Sequence, residues 1–434
     1  MNAMLTVRER DEASGNLPAG WRVRTLGQLH AGGVMTVNPQ RFPGEDFEYF
    51  SIPAYQNGVI ATTVRGSDIL SQKFSIPATC LLFGKLNPRV EKVWNVSSSG
   101  DFRRLASTEW LAIVPTSELD QDFGYFALRS HQVMPIAQAL TSGSTPSRER
   151  VEPKAFYEIK IALPSLTEQR CVASILGHVD ATIALQDRAI RAARALKSAT
   201  MRQLFTRGLR GEGQKETDAG PIPASWRVKT LTEVARIERG RFLYRPRNEP
   251  KFYGGVTPFV QTGDVVRSTG RIREYSQTLN DDGVAISRVF PAGTILLTIA
   301  ANIGYTGILE FDGACPDSLV GISPSTEVDG RFLEFFLQTQ RVAMDEQAPK
   351  GTQKNINIQF LKPWPVLVPP MDEQREIVEI LDAIDRKIDL HKRKRVVLEK
   401  LFNALLHKLM TGEIRVADLD LSALDTQSTA GAVA

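Results

Sequence analysis

Apolar residues recur at alternating steps of four and three along two stretches of the chain, Thr167 to Arg207 and Asp372 to Gly412. Eight of the ten positions at these steps are apolar in the second stretch, and the first stretch follows the same phase with interruptions at Lys197 and Thr200. This period, sustained over about four heptads, predicts a helix whose narrow apolar seam is buried against another helix. We expect the two helices to pair along a seam formed by Val172, Leu176, Val179, Ile183, Ile190, Ile377, Leu381, Ile384, Ile388, Leu398, Phe402 and Leu405.

Each long helix is predicted to begin just after a proline. Thr167 and Asp372 can act as N-caps, and an acidic residue follows each in the first turn. Neither stretch contains proline, so both helices should run unbroken. About 40 residues at about 1.5 Å each give a length of roughly 60 Å, which suits a spacer.

The chain is a tandem repeat. Trp226 follows Trp21 by 205 positions, and Glu373 follows Glu168 by the same number. Each copy is a globular part followed by a long helix, but residues 30–160 and 235–365 show little identity at this offset. Either the surfaces of a duplicated fold drifted freely, or one scaffold presents two different recognition surfaces.

The globular parts are predicted to be α+β. Short runs of strand-forming residues broken by glycine, proline and asparagine, such as Thr79 to Phe83 and Thr294 to Ile299, indicate a largely antiparallel sheet. Asp122 to Ala139 and Gly330 to Met344 are typical of helices. We assign residues 17–164 and 223–369 to the globular parts, 165–207 and 370–412 to the long helices, 208–222 to a flexible linker, and 1–16 and 413–434 to loose tails.

Composition is that of an ordinary soluble protein, with 42% apolar and 24% charged residues. The net charge of +4 is too mild to establish nucleic-acid binding by itself. The three cysteines are scattered without metal-ligand spacing, so we expect no disulfides and a reducing cytoplasm. The longest apolar run, near Thr294 to Ile303, is too short to span a bilayer, and we expect no signal peptide.

Motifs for catalysis are missing from the sequence. No glycine-rich phosphate loop follows a strand, and no histidine-rich metal motif occurs. Asn87-Pro88-Arg89 and Val368-Pro369-Pro370-Met371 do not fit the catalytic loop of DNA methyltransferases, and Pro316-Asp317 lacks the neighbouring carboxylates of a nuclease site. These observations argue against an enzyme and predict no bound metal.

Three polar loops carry side chains that could contact DNA. Lys85 to Arg89 follows a strand, Ser142 to Arg150 precedes the first long helix, and Lys350 to Asn355 precedes the second. Lysine and arginine contact phosphates, and asparagine, glutamine and arginine can bond base edges, although most such loops are merely solvated. The candidate DNA-binding residues are Lys85, Asn87, Arg89, Ser144, Thr145, Arg148, Arg150, Lys350, Thr352, Gln353, Lys354 and Asn355.

The repeated motifs resemble those of the specificity subunits of type I restriction-modification systems. Each half opens with Pro-x-x-Trp-x-Val-x-x-Leu, and each long helix begins with Pro-x-x-x-Glu-Gln-x-x-(Ile/Val) and ends with Leu-(Phe/Met)-Thr. The matching residues are Pro18, Trp21, Val23, Leu26, Pro164, Glu168, Gln169, Val172, Leu204, Phe205 and Thr206, then Pro223, Trp226, Val228, Leu231, Pro369, Glu373, Gln374, Ile377, Leu409, Met410 and Thr411. The resemblance covers about residues 17 to 415.

The resemblance implies that each globular part is a target-recognition domain that reads one half of a split double-stranded DNA sequence. The long helices would form an antiparallel coiled coil that sets the gap between the halves. Two methyltransferase subunits using S-adenosylmethionine would bind this chain, and restriction subunits using ATP and Mg would join them. The chain itself would hold no cofactor and no catalytic residue.

Two further interpretations fit the same pattern. The chain could be the recognition subunit of a related bifunctional restriction system, in which cleavage and methylation are fused in the partner. It could instead be a duplicated coiled-coil adaptor that binds protein partners, and salt-dependent DNA binding would distinguish this from the DNA-reading interpretation.

Overall fold

A computed structural model describes residues 17–143, 145, 148–218, 220–349 and 354–419. The chain forms two compact units: unit 1 is Met1–Gln186 with Lys394–Ala434, and unit 2 is Asp187–Arg393. Each unit contains one globular part together with portions of both long helices. The predicted α+β class is confirmed.

Unit 1 contains twelve short strands among its described residues, and four short helices connect them. The strands are β1 (Arg22–Thr25), β2 (Met35–Val37), β3 (Asp46–Phe50), β4 (Thr62–Arg65), β5 (Lys73–Ile76), β6 (Thr79–Gly84), β7 (Val93–Ser97), β8 (Arg103–Ala106), β9 (Trp110–Ile113), β10 (Thr141–Ser142), β11 (Arg150–Val151) and β12 (Lys160–Leu163). The helices are α1 (Ile52–Gln56), α2 (Gln121–Arg129), α3 (Met134–Ala139) and α4 (Pro153–Tyr157), with 3-10 turns at Pro39–Arg41 and Gly66–Asp68.

Two main sheets make up unit 1. One has the order β2-β5-β8-β3-β4 and is antiparallel except where β3 pairs with β8, and the other has the antiparallel order β7-β6-β9. β1 pairs with β12 from Arg22 opposite Leu163, which joins the two ends of the globular part. The long helix α5 (Leu166–Arg207) follows directly.

Unit 2 repeats this plan with a different arrangement of strands. Its strands are β13 (Gln214–Lys215), β14 (Ile222–Pro223), β15 (Arg227–Thr230), β16 (Ala235–Arg239), β17 (Tyr253–Phe259), β18 (Gly270–Ile272), β19 (Gln277–Leu279), β20 (Val289–Phe290), β21 (Ile295–Thr298), β22 (Thr306–Leu309), β23 (Gly313–Ala314), β24 (Leu319–Pro324) and β25 (Pro365–Val368). Its helices are α6 (Leu231–Val234), α7 (Thr262–Arg267), α8 (Asp281–Ala285), α9 (Gly330–Gln347), α10 (Ile358–Leu361) and the start of α11 (Met371–Thr411), with a 3-10 turn at Pro250–Phe252. The sheets have the orders β16-β24-β21-β22-β18 and β19-β17-β23-β20. β15 pairs with β25 from Arg227 opposite Val368, as β1 pairs with β12 in unit 1.

The two long helices start slightly earlier than their predicted N-caps. Ser165 Oγ accepts a hydrogen bond from Glu168 N at 3.3 Å, so Ser165, and not Thr167, caps α5. α11 begins at Met371, which places Asp372 inside the first turn. The cap prediction was therefore wrong by about two residues in α5, because a serine directly after Pro164 supplies the same bond.

A tryptophan and a glutamate join the entry of each globular part to its own long helix. Trp21 Nε1 donates to Glu168 Oε2 at 3.1 Å, and Trp226 Nε1 donates to Glu373 Oε2 at 3.0 Å. Each glutamate also bonds the segment that follows the other long helix: Arg415 Nε donates to Glu168 Oε1 at 2.8 Å, and Leu209 N donates to Glu373 Oε1 at 2.6 Å. These contacts fix the same local frame in both units.

A buried glutamine makes the second repeated contact. Gln169 accepts from Asp120 N at 2.8 Å and donates to Glu118 O and Pro164 O at 2.9 and 3.0 Å. Gln374 likewise accepts from Asp329 N at 2.7 Å and donates to the carbonyl groups of Glu327 and Pro369. Asp120 and Asp329 are the N-caps of α2 and α9, so each glutamine positions the helix that follows the central strands.

The two long helices contribute side chains to the same core within each unit. In unit 1, Val172 and Leu176 share a cluster with Phe402 and Leu409, and in unit 2, Leu204 and Phe205 share one with Ile377 and Leu381. Seven of the twelve predicted seam residues are buried and five are half-buried. Among the described residues, no helix combines the length and apolarity needed to cross a membrane.

Lys197, which interrupts the apolar pattern of the first long helix, has a specific partner. Its Nζ lies 2.7 Å from Asp385 on α11 and 4.8 Å from the ring centre of Phe335. The polar residue in the seam is therefore neutralised by an ion pair between the two helices.

The segment predicted to be a flexible linker has local structure where it is described. Gln214 and Lys215 pair with Ile222 and Pro223 in a short antiparallel hairpin, and Glu212 accepts a hydrogen bond from Ser225 N at 2.9 Å. The polar composition of the segment predicted flexibility. It did not reveal that the polar side chains bond to residues outside the segment.

Candidate nucleic-acid interface

Two of the predicted DNA-binding loops lie side by side in unit 1. The N–H of Asn87 donates to Glu149 O at 2.8 Å, and the N–H of Val151 donates to Lys85 O at 3.0 Å. Asn87 has φ of 46°, a left-handed conformation that asparagine tolerates better than most residues. The structure therefore brings 85–89 together with the end of 142–150.

Three predicted residues of this loop pair are engaged in bonds within the protein. Lys85 Nζ donates to Thr108 O at 2.9 Å, and Arg89 lies 3.3 Å from Glu149. Arg150 forms a two-bond contact with Glu109 at 3.1 and 3.2 Å. Each of these side chains would have to share or give up its protein partner in order to contact a phosphate.

Arg148 differs from its neighbours. Its side chain is exposed and makes no ion pair with the residues that the structure describes. Thr145 is also exposed, and the predicted Ser144 lies outside the described residues. Arg148 is thus the predicted group of unit 1 whose charge is fully available to an incoming phosphate.

The corresponding loops of unit 2 meet in the same way. The N–H of Ile356 donates to Ile299 O at 3.0 Å, and Asn355 forms an isolated bridge with Ala300, as Arg150 does with Leu86. Lys354 Nζ lies 2.8 Å from Asp345, and Asn355 is exposed. The predicted Lys350, Thr352 and Gln353 lie outside the described residues.

Sequence reasoning missed a cluster of arginines in unit 2. Arg245 Nη2 lies 2.9 Å from Asp317 Oδ2, and Arg247 pairs with the other oxygen of the same carboxylate. Arg239 Nε donates to Asp317 O at 2.7 Å. Arg241 and Arg288 complete the cluster through bonds to Ser287 O and Arg239 O.

The arginine cluster carries an excess of positive charge at the surface. Its five guanidinium groups are balanced by only two carboxylates, Glu238 and Asp317. Arg245 and Arg247 keep 50% and 41% of their side-chain surface exposed, and Leu243, two positions before Arg245, is 69% exposed. A basic surface of this kind attracts phosphates. Four arginines within residues 239–247 were the available sequence signal.

The other groups of interest in the two units are the cysteines and the potential metal ligands. Cys80 and Cys315 are buried, and burial raises the pKa of the Cys80 thiol to about 12 and that of Cys315 further still, so neither is a thiolate near neutral pH. Among the described residues, no three histidine, cysteine, aspartate or glutamate side chains are placed to hold a metal ion. What the arrangement offers is charge and hydrogen-bond donors.

Comparison with known proteins gives a consistent result. Residues 223–400 match the family model described as the type I restriction modification DNA specificity domain. The chain is 28% identical over 62% of its length to the type I restriction enzyme MjaVIII specificity subunit of Methanocaldococcus jannaschii, and 26% identical over 59% to the putative MjaX specificity subunit of the same organism. These alignments cover 65% and 60% of the relatives, so the chain spans less than two thirds of either.

A solved structure described as the basis of complex assembly and conformational transition of the type I R-M system has a similar fold. Its TM-score is 0.60 at 21% identity, and the match covers 92% of this chain and 100% of that one. The family model and the two relatives confirm the resemblance indicated by the sequence motifs, and residues 223–400 are the part of the chain that matches the type I restriction modification DNA specificity domain.

Proposed function

We propose that this chain is the DNA sequence-specificity subunit of a type I restriction-modification complex. The observation that carries the proposal is that the same framework contacts occur in both units, whereas the surfaces of the two globular parts differ. The Trp21–Glu168 and Trp226–Glu373 bonds are equivalent, whereas the loops that they support carry different charges. In this proposal residues 17–164 and 223–369 are target-recognition domains, each reading one half of a bipartite double-stranded target.

The charged surfaces support DNA as the ligand. Arg148 in unit 1 and the arginine cluster of unit 2 are exposed cationic groups that could meet backbone phosphates. Phosphate contacts set the position of a protein on DNA, and base contacts from neighbouring loops then give specificity. A pair of recognition surfaces with different side chains would read an asymmetric target.

The long helices, residues 165–207 and 370–412, would act as a spacer between the two readers. An antiparallel coiled coil is supported by the cores that the two helices share within each unit and by the Lys197–Asp385 ion pair. DNA-reading modules are placed about one helical turn, roughly 34 Å, apart on DNA. Helices of roughly 60 Å are long enough for that spacing.

The partners proposed are two methyltransferase subunits, which would use S-adenosylmethionine, and restriction subunits, which would use ATP and Mg. The chain would contribute recognition without a catalytic residue. Residues 208–222 would connect the two halves. Of the predicted C-terminal tail, 413–434, the described residues 413–419 bond and pack within unit 1, whereas 420–434 and the predicted N-terminal tail, 1–16, lie outside the described residues.

Methylation sequencing tests the proposal directly. DNA is taken from a host that produces this chain with its partner methyltransferase, and modified positions are mapped. The intact chain should give one bipartite motif, and deletion of residues 226–368 should abolish it or leave one half. Arg245→Ala with Arg247→Ala should lower modification without unfolding the unit, because both side chains are largely exposed. A modification pattern that does not depend on this chain would overturn the proposal in favour of a protein-binding adaptor.

A further inference from the structure

Unit 2 contains a cavity of about 540 Å³ where α7, β18 and α9 face its portions of α5 and α11. This volume is within the range of about 300–1,000 Å³ that is usual for small-ligand sites. Eight basic and only three acidic side chains line it. The cavity is separate from the loop pair and from the arginine cluster described above.

Five of the basic groups are neutralised by carboxylates. Arg331 is the centre of this network, since its guanidinium lies 2.9 Å from both Asp382 and Asp385 and 2.8 Å from Glu334. The basic members are Lys197, Arg271, Arg273, Arg331 and Lys392, and the acidic members are Asp382, Asp385, Asp389, Glu310 and Glu334. Five positive and five negative charges cancel, and the ion pairs hold the wall of the cavity in one arrangement.

Three arginines remain in excess. Arg194, Arg341 and Arg386 line the cavity and make no ion pair with the described residues. The Arg341 guanidinium lies 4.8 Å from the ring centre of Tyr305, which orients it without neutralising it. The cavity therefore presents about three uncompensated positive charges.

The backbone around the cavity is closely packed. Gly270 has φ of 100°, and a Cβ there would lie 2.8 Å from Gln338 Nε2 and 3.0 Å from Arg331 Nη1. Gly304 has φ of 79°, and a Cβ there would lie 3.0 Å from Arg341 Cγ. Glycine at 304 lets the Arg341 side chain approach the backbone, and glycine at 270 does the same for the ion-paired Arg331. Of the three arginines without an ion pair among the described residues, Arg341 is therefore positioned before a ligand arrives.

Unit 1 has a crevice at the equivalent place with a different charge. The N-caps Asp120 and Asp329 hold equivalent positions, so Asp122 stands where unit 2 has Arg331. On the long helices, Gly177 and Ala181 of unit 1 hold the positions that Asp382 and Arg386 hold in unit 2, because the two repeats are offset by 205 residues. The crevice of unit 1 is lined by Asp120, Asp122 and a single arginine, Arg170. The positive cavity is thus a property of unit 2 and not of the shared frame.

We propose that this cavity binds the phosphate groups of a nucleotide or of a nucleic-acid strand. Guanidinium groups form paired hydrogen bonds with phosphate oxygens, and three excess charges match a polyphosphate or successive phosphodiesters better than a single carboxylate. The site goes beyond sequence reading, because it recognises phosphate chemistry irrespective of bases.

The test measures binding of inorganic tripolyphosphate to the full-length chain by calorimetric titration. The variant Arg194→Glu with Arg386→Glu reverses two exposed charges that line the cavity. The matched control, Arg191→Glu with Lys387→Glu, makes the same change of net charge on the same two helices at exposed positions outside it. The cavity variant should weaken tripolyphosphate binding by about tenfold or more, and the control by about twofold or less.

Competition then identifies the source of the phosphate. A duplex of random sequence that displaces tripolyphosphate would assign the site to a nucleic-acid backbone, and displacement by ATP alone would assign it to a free nucleotide. No binding of tripolyphosphate by the unaltered chain, or equal losses in the two variants, would overturn the proposal. Both results are independent of whether the chain directs methylation.

Discussion

Trp226 and Glu373, which are 147 positions apart, form a buried hydrogen bond of 3.0 Å in which the indole N–H donates to the carboxylate. Both side chains are completely shielded from solvent. The equivalent bond in unit 1, between Trp21 and Glu168, is less buried, because Glu168 keeps 13% of its side-chain surface exposed and is also bonded by Arg415. Loss of this hydrogen bond should therefore destabilise unit 2 more than unit 1.

Replacement of Trp226 by phenylalanine removes the indole N–H. The buried carboxylate oxygen of Glu373 then has lost its hydrogen-bond donor. We expect Trp226→Phe to lower the free energy of unfolding by about 1–3 kcal/mol, since an unsatisfied buried acceptor carries its desolvation cost. Trp21→Phe should cost about 0.5–1.5 kcal/mol, because water and Arg415 can compensate. Urea unfolding followed by circular dichroism measures both, and an equal or larger loss in Trp21→Phe would contradict the argument.

Arg210 pairs with two carboxylates of α11 and should make the stability of unit 2 depend on pH. It lies 2.7 Å from Glu376 and 2.9 Å from Asp372. Its hydrogen bond lowers the pKa of Glu376, and the pKa of Asp372 is lowered first by the N–H of Glu373 and then by Arg210. A lowered carboxyl pKa contributes stability above the unfolded pKa, and this contribution is lost as pH falls through the folded value.

We therefore expect Arg210→Gln to lower the melting temperature slightly at pH 7, and we expect this effect to fade as the pH falls through the lowered pKa values of the two carboxyl groups. Thermal melts from pH 3 to pH 7 follow the difference. Arg375→Gln, an exposed change on the helix that carries both carboxylates, is the control and should show no such dependence. A constant difference across the whole range would exclude the ion pair as its cause.

Arg148 should matter more for DNA affinity than Arg150. Arg148 is exposed without an ionic partner among the described residues, whereas Arg150 is held by two bonds to Glu109. Arg148→Ala should reduce the slope of log affinity against log salt by about 0.9, the value for one lost phosphate contact, and Arg150→Ala should change it less. Fluorescence anisotropy of labelled duplex DNA at several salt concentrations gives the slopes. A larger effect of Arg150→Ala would show that its ion pair opens on binding.

The sequence predicted the long helices well because their apolar period is local. α5 and α11 run from Leu166 to Arg207 and from Met371 to Thr411, within about one residue of the predicted stretches. The equivalence of the globular parts was hidden, because insertions change the offset: Val151 and Ile356 are 205 positions apart, but their partners Lys85 and Ile299 are 214 apart. Residues compared at a fixed offset therefore do not correspond within the sheets.

The site residues were harder to predict than the helices. Lys85 was chosen for its charge, but its ammonium group bonds Thr108, which the local sequence does not reveal. Arg331 sits within a predicted helix, and its carboxylate partners Asp382 and Asp385 lie more than 50 positions away. Pairing of charges across the fold decides which arginines remain available, and only the structure gives that pairing.

The final prediction concerns the length of the long helices. Deletion of residues 183–189 from α5 together with 388–394 from α11 removes one heptad from each, and seven residues preserve the phase of the apolar seam. Each helix shortens by about 10 Å. At about 3.4 Å per base pair, the gap between the two half-sites should shrink by about three base pairs. Methylation sequencing should find both half-sequences unchanged at this new spacing.

The control deletes four residues from each helix, which rotates the seam by half a heptad and should abolish modification. If the heptad deletion modified DNA at the original spacing, the helices would not determine the distance between the readers.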